Sequence, residues 1–278
     1  MRTVPSIPVV ISFAGNDPTG GAGLLADIET LASMGCHAAP VITAVTIQDT
    51  QHVKGYTSIE PTLVIAQARA VLEDMPIAAF KIGMVGSVEN MQAIHTILTD
   101  YPNIPVVLDP ILASGNGDPL SDPSMVDAML TLLIPLATVI TPNTDEVRRL
   151  AHEADSIDAC AHELLDAGSE FVLVTGTHEN TPHVVNRLYG NRRLLETFTW
   201  DRLPQSYHGS GCTLASAIAG LLAQDLEPFS AIFEAQEYTW QTLQKGYRIG
   251  MGQHLPNRLF WGLNGDNDEE AENGNHAK

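Results

Sequence analysis

The feature that most constrains the fold is an alternation. Short β-branched runs at residues 9–14, 39–45, 79–82, 106–109, 138–141 and 171–175 take turns with longer segments of helical apolar spacing at 23–34, 61–74, 88–100 and 124–134. That pattern reads as βαβ units feeding one sheet, and it predicts an α/β fold: a mainly parallel central sheet flanked by helices on both faces. Two further runs, 184–189 and 193–199, are separated by Gly190, Asn191 and Arg192, turn chemistry that predicts a hairpin and an antiparallel edge. Helical patterns at 211–222 and 228–247 close the core. No internal repeat and no Pro/Gly/Ser-rich linker splits it, so a single domain is expected over residues 1–262. The segment 263–278 is acidic, with no large apolar residue from Asn264 onward, and is expected to be a disordered tail.

Charge narrows the function classes. The 278 residues hold 14 Lys and Arg against 33 Asp and Glu, a net charge of −19. Affinity for nucleic acid comes largely from cationic neutralisation of phosphates, so a nucleic-acid partner is not expected, nor is an anionic membrane surface. No run approaches the roughly 20 apolar residues that span a bilayer, and the N-terminus lacks the pattern of a secretory signal, so a cytoplasmic location is expected. Cys36, Cys160 and Cys212 are odd in number and far apart, which suits reduced thiols.

The polar signals fall at strand-to-helix junctions, where an open α/β sheet forms its ligand crevice. The first strand runs into Ala14-Gly15-Asn16-Asp17-Pro18-Thr19-Gly20-Gly21-Ala22-Gly23, followed by a helix carrying Asp27. Its glycines permit a close backbone approach, to a ligand or to a neighbouring helix. A second glycine-rich element, His208-Gly209-Ser210-Gly211-Cys212-Thr213, precedes an apolar helix. Unpaired amides there would form an anion site, by which an acidic protein can hold phosphate locally. The same dipole is expected to lower the pKa of Cys212, and His208 is placed to orient the turn. Asp109, in Leu108-Asp109-Pro110, and Glu146, in Thr141-Pro142-Asn143-Thr144-Asp145-Glu146, offer hard oxygen ligands suited to Mg²⁺. Each element also has a plain structural reading as a turn or a cap, but their coincidence at βα junctions favours phosphoryl transfer. The tryptophans Trp200, Trp240 and Trp261 read as core or interface residues.

Taken in order, these segments resemble the hydroxymethylpyrimidine/phosphomethylpyrimidine kinases of the ribokinase-like superfamily, enzymes of the thiamine pathway. The likeness extends to about Gly262 and includes Ala26-Asp27, Val41-Ile42-Thr43-Ala44, Gln48-Asp49-Thr50 and Lys81-Ile82-Gly83-Met84. It implies an ATP- and Mg²⁺-dependent kinase acting on a pyrimidine hydroxymethyl group, and a homodimer. By the same resemblance, Gly15, Asp27, Gln48 and Met84 face the pyrimidine. Gly209, Ser210, Gly211 and Cys212 receive the transferring phosphoryl group, with Cys212 where many sugar kinases of the superfamily place an aspartate base. Asn143, Thr175 and Gly176 lie toward the nucleotide, and Asp109 and Glu146 toward the metal.

The segment 112–120 would be a lid over the site. One departure stands out: Thr175-Gly176-Thr177-His178 replaces the family's Lys-Gly-Gly-His, removing a cation that would contact a phosphate. The second transfer, onto the monophosphate, is therefore the less secure one, and Lys81 or Arg148 could supply charge if either points inward. Two rival readings remain open: a pyridoxal kinase on the same fold, against which the absence of cysteine from the lid counts, and a pyrimidine sensor without turnover.

Overall fold

The computed structural model describes residues 7–113 and 120–263. The expected acidic tail from Asn264, and the tip of the expected lid at 114–119, lie outside the described residues. The strands are β1 (Val9–Asn16), β2 (His37–Gln48), β3 (Val53–Ser58), β4 (Ile77–Ile82), β5 (Val106–Leu108), β6 (Val139–Ile140), β7 (Phe171–Val174), β8 (His183–Gly190) and β9 (Arg193–Asp201). They join into one sheet in the order β3-β2-β1-β4-β5-β6-β7-β8-β9. The central pairs from β2 to β7 are parallel, while β3 and the β8–β9 hairpin add antiparallel edges. Chain order runs outward from β1 in both directions, so the crevice of the sheet opens at the carboxyl ends of β1 and β4.

Helices α1 (Gly23–Ser33), α2 (Pro61–Asp74), α3 (Val88–Asp100), α4 (Pro123–Ala128), α5 (Thr144–Leu150), α6 (Ile157–Asp166), α7 (Ser210–Leu222) and α8 (Pro228–Gln244) cover the sheet. Successive strand residues point to opposite faces, and both faces are buried. Ile11, Phe13, Phe80, Ile82 and Leu108 pack with α2 to α6, and Val10, Ala79, Val107, Val139 and Leu173 pack with α1, α7 and α8.

Several elements differ from the sequence expectation, among them the short helix α5, which the helical spacing did not mark. The strand β3 was not anticipated, because Val-Lys-Gly-Tyr-Thr-Ser is short, polar and half exposed at an edge. The helix α6 was also missed, although Ser156 caps it by accepting the Ala159 amide at 3.2 Å. The helix expected over 124–134 is α-helical only to Ala128, then widens into a π-helical turn at Met129–Leu133 and tightens into a 3₁₀ turn at Ile134–Leu136. Pro135 has no amide to donate, and regular α-helix ends before it.

Between the sheet and helices α1 and α7 lies a fully buried ion pair. Lys81 Nζ on β4 donates to Asp27 Oδ1 and Oδ2 on α1 at 2.8 and 3.0 Å. Ser12 on β1 and Ser216 on α7 donate to the same carboxylate at 2.6 and 2.7 Å. Burial works to depress the Lys81 pKa, but the charge and hydrogen bond of Asp27 together with the electrostatic pull of Cys212 and Asp109 outweigh it and hold the ammonium above its usual range. Breaking such a pair from one side strands a buried charge. Lys81→Met should therefore lower the unfolding free energy by about 3–5 kcal/mol in urea titrations, and adding Asp27→Asn should recover most of the loss. A double variant as unstable as the sum of its singles would contradict this account of the pair.

Candidate active site

A cavity of about 470 Å³ runs along the carboxyl edge of the sheet. Gly15, Asn16 and Asp17 enter from the end of β1, Thr46 and Gln48 from β2, and Met84 from the turn after β4. Asp109 follows β5, Asn143 and Glu146 follow β6, Thr175 follows β7, and Gly209 to Cys212 form the entry to α7. Nearly every residue singled out in the sequence therefore lines one space.

The phosphate-sized feature is the start of α7. Its cap, Gly209, has φ +86°, and a side chain there would collide with the Gly21 carbonyl. Thr213 is the first residue of the helix to reach back, its amide donating to Gly209 O at 3.0 Å. The amides of Ser210, Gly211 and Cys212 thus have no partner within the helix, and the positive end of the helix dipole lies among them.

Cys212 is buried beside Asp109, above the Lys81–Asp27 pair. The Asp109 carboxylate and the Gly23 amide lie beside its thiol. Burial pushes the thiol pKa up to about 12, against the pull of Lys81 and with the push of Asp109 and Asp27. This corrects the expectation of a lowered thiol pKa. The dipole is present, but desolvation among carboxylates outweighs it, and Cys212 is a neutral thiol at neutral pH.

The two carboxylates are perturbed in the same sense. Burial, countered in part by Lys81, raises Asp109 to about 6, and its Oδ2 has no hydrogen-bond partner. Burial and repulsion from Asp109 raise Glu146 to about 8. Glu146 also completes a capping box: its Oε2 accepts the Asn143 amide at 2.9 Å, while Asn143 Oδ1 accepts the amides of Asp145 and Glu146. The Asn143 NH₂ group is not used in that cap.

On the opposite wall, His208 Nε2 lies 2.8 Å from Asp17 Oδ2 and 3.2 Å from the Gln48 amide nitrogen, so one ring ties the β1 loop to the β2 end. Burial works against the Asp17 charge, but the His208 and Thr19 contacts outweigh it and hold the carboxyl below its usual range.

Two residues placed in the site by the sequence are not cavity walls. Asp27 lies below the floor, wholly buried, its carboxylate taken up by Lys81, Ser12 and Ser216. Gly176 is packed so tightly on the β8 backbone at Val185 that no side chain fits, and its amide donates to Asn186 Oδ1 at 3.0 Å. Neither suggested source of extra charge reaches the cavity: Lys81 is spent on Asp27, and Arg148 is exposed on α5.

The far end of the cavity was not foreseen. Trp200 and Trp240 line it as a stacked pair with ring centroids 6.4 Å apart. Trp200 Nε1 donates to Gln236 Oε1 at 3.3 Å, which also accepts from Asn186. Among the described residues, Arg202 is the only Lys or Arg lining the cavity, with its guanidinium on the carbonyls of Thr177, Glu179 and Thr181. These residues come from the end of the hairpin, the segment after it and α8, outside the glycine-rich motifs themselves.

A family model described as phosphomethylpyrimidine kinase matches residues 17–257. The hydroxymethylpyrimidine/phosphomethylpyrimidine kinase of Mycobacterium tuberculosis is 36% identical over 263 residues, spanning 91% of this chain and 94% of that protein. Among solved structures, phosphomethylpyrimidine kinase from Clostridium difficile superposes with a TM-score of 0.74 at 33% identity, over 86% of this chain and 100% of the other. Pyridoxal kinase from Staphylococcus aureus in complex with ADP gives a TM-score of 0.83 at 25% identity, over 92% and 95%.

The sheet order and the amide turn at its switch point define a ribokinase-like small-molecule kinase. The matched family covers most of its length. The chain belongs to the phosphomethylpyrimidine kinase family, and with it to the kinases of thiamine biosynthesis.

Proposed function

We propose that this kinase transfers the γ-phosphoryl group of ATP to the hydroxymethyl oxygen of 4-amino-5-hydroxymethyl-2-methylpyrimidine, and then a second phosphoryl group to the monophosphate. The observation that carries this reading is the turn Gly209-Ser210-Gly211-Cys212, whose free amides face a cavity walled by Gly15, Gln48 and Met84. The flat apolar flank of Met84 and the donor and acceptor of the Gln48 amide suit an aminopyrimidine. The γ-phosphoryl group, in transit, carries its charge on oxygens that the three amides can receive without rearrangement.

Cys212 acts here as a neutral group. Its sulfur can accept a hydrogen bond from the substrate hydroxyl and hold that oxygen in line, while its own proton stays on the sulfur. Phosphoryl transfer depends more on alignment and charge stabilisation than on early proton removal, so a weak base suffices.

Asn143 and Thr175 flank the path of the polyphosphate, and the Trp200–Trp240 end, with Gln236, suits the base of the nucleotide. Asp109 and Glu146 are the residues that would hold Mg²⁺. They fit it: a buried carboxylate oxygen lacks a partner, and both acids are raised by burial, with Asp109 raising Glu146 further. Among the described residues no cluster of three metal-ligating side chains occurs, which leaves the remaining positions to phosphate oxygens and water. When bound, Mg²⁺ supplies charge neutralisation of the phosphates.

Steady-state assays with ATP and Mg²⁺ test the reading directly. The pyrimidine alcohol should be phosphorylated at a higher kcat/KM than pyridoxal. The monophosphate should also react, at a lower kcat/KM than the alcohol, because Thr175 supplies no cation. A chain that binds the pyrimidine but transfers no phosphate would overturn the proposal.

Glu146→Gln separates metal binding from folding. Glutamine keeps the capping acceptor but not the charge. An acid whose pKa is raised on folding costs stability as pH rises from its unfolded value toward the folded one, here from 4.5 to about 8. The variant should melt no lower than the parent at pH 8 without Mg²⁺, yet lose at least about tenfold in kcat. Joint loss of stability and activity at pH 8 would count against the metal role.

The implied homodimer has a place to form. Ile42, Val45 and Ile47 on β2 and Leu63 on α2 are exposed apolar residues at one edge of the molecule, which a second copy would cover. Sedimentation velocity should report a species of twice the chain mass, and a monomer at micromolar concentration would contradict it.

A further inference from the structure

Arg258 is among the most deeply buried large side chains in the protein, at 2% exposure, and lies one residue beyond the segment matched by the family model. A buried guanidinium must satisfy a full charge and five donors, or burial costs several kcal/mol. Here the donors are used across two loops. Nε donates to Thr213 Oγ1 at 3.0 Å, Nη2 donates to the Gly21 carbonyl, and Nη1 pairs with Glu29 Oε2 at 3.0 Å and reaches the Gly20 carbonyl at 3.5 Å. The Thr213 hydroxyl in turn donates to Gly209 O at 2.8 Å.

One side chain therefore grips both glycine-rich elements. On one side it holds the carbonyls of Gly20 and Gly21, in the loop that carries Asp17. On the other it holds, through Thr213, the carbonyl of Gly209 at the start of α7. A Cβ on Gly209 would meet the Gly21 carbonyl and stand 2.9 Å from Arg258 Nη2, so the two loops touch at this point. Converging carbonyl oxygens repel one another, and the guanidinium offsets that repulsion. By fixing Gly209 O toward Thr213, it leaves the next three amides aimed at the cavity.

The segment bearing Arg258 is itself anchored to the site. The His254 amide donates to Ser206 O at 3.0 Å, the His208 amide donates to His254 O at 2.9 Å, and the Gln253 amide donates to Thr50 O at 3.2 Å. Tyr238 on α8 donates its hydroxyl to the Arg258 carbonyl at 2.8 Å.

We propose that Arg258 is a positioning residue for phosphoryl transfer, fixing the gap between the substrate-side loop and the amide turn that receives the phosphoryl group. The inference rests on the function proposed for that turn. Neither Arg258 nor Thr213 lines the cavity, so both act through the loops and not by touching substrate.

Three variants test it, each assayed for kcat, KM and equilibrium affinity for the pyrimidine by calorimetry. Arg258→Lys keeps the charge but cannot fork between the loops, and Thr213→Val cuts the relay to Gly209 while leaving Arg258 in place. Each should lower kcat by about 10- to 100-fold, the range expected for a misplacement near 1 Å, with pyrimidine affinity within about threefold of the parent. Glu29→Gln removes only the peripheral ion pair and should lower the melting temperature with kcat within about twofold. If Arg258→Lys fails to fold, Thr213→Val alone decides. Unchanged kcat in the folded variants, or a parallel loss of affinity and kcat, would overturn the positioning role. A parent inactive on the alcohol would overturn the function and this inference together, whereas an active parent with indifferent variants would overturn Arg258 alone.

Discussion

The site is built over a buried charge pair. Lys81 and Asp27, joined by Ser12 and Ser216, link β4, α1, β1 and α7 at one point beneath the cavity floor. The helices α1 and α7 are the two whose entries carry the glycine-rich loops, so the pair sets where both helices begin. A buried ion pair is a poor source of net stability but a stringent specifier of geometry, because its partners tolerate little displacement. The demand for that geometry comes from above, where three amides, a thiol and a carboxylate must share a small dry space.

The acidic balance of the chain makes sense in these terms. A net charge of −19 is hostile to phosphate in general, and only one Lys or Arg among the described residues lines the cavity. In the proposed mechanism, charge on a transferring phosphoryl group would be met instead by main-chain amides and by a metal that Asp109 and Glu146 would hold. Both devices work best when water is excluded, and the same exclusion pushes Cys212, Asp109 and Glu146 upward. Desolvation thus keeps a cysteine at a helix start protonated where the dipole alone would favour a thiolate. The expectation from the dipole alone failed because it considered one helix and not the carboxylates packed around it.

Much of the fold was legible from periodicity. The parallel core strands, the hairpin and the helices α1, α2, α3, α7 and α8 follow from apolar spacing and turn residues. The edge strand β3 and the short helices α5 and α6 did not: β3 has no fully buried residue, and α5 and α6 are too short, at 7 and 10 residues, for their periodicity to stand out. In the site, residues on glycine-rich turns and after strands were readable because function and backbone conformation select the same residue types there. Trp200, Gln236, Arg202 and Arg258 were not readable. Their places depend on how the hairpin, α8 and the final segment fold back, and no local pattern marks an arginine as buried between two loops. Asp27 shows the converse: the motif is readable, but only the packing reveals that its carboxylate faces Lys81.

The central claim is that transfer is driven by the amide turn with Cys212 neutral, and the pH dependence of kcat tests it most directly. Measured from pH 6.5 to 9.5 at saturating ATP, Mg²⁺ and pyrimidine, the parent and Cys212→Ala should give profiles of the same shape, the variant lower at every pH. A basic limb near pH 8 to 9 in the parent that vanishes in the variant would mean that a thiolate is the working base, and would contradict the account.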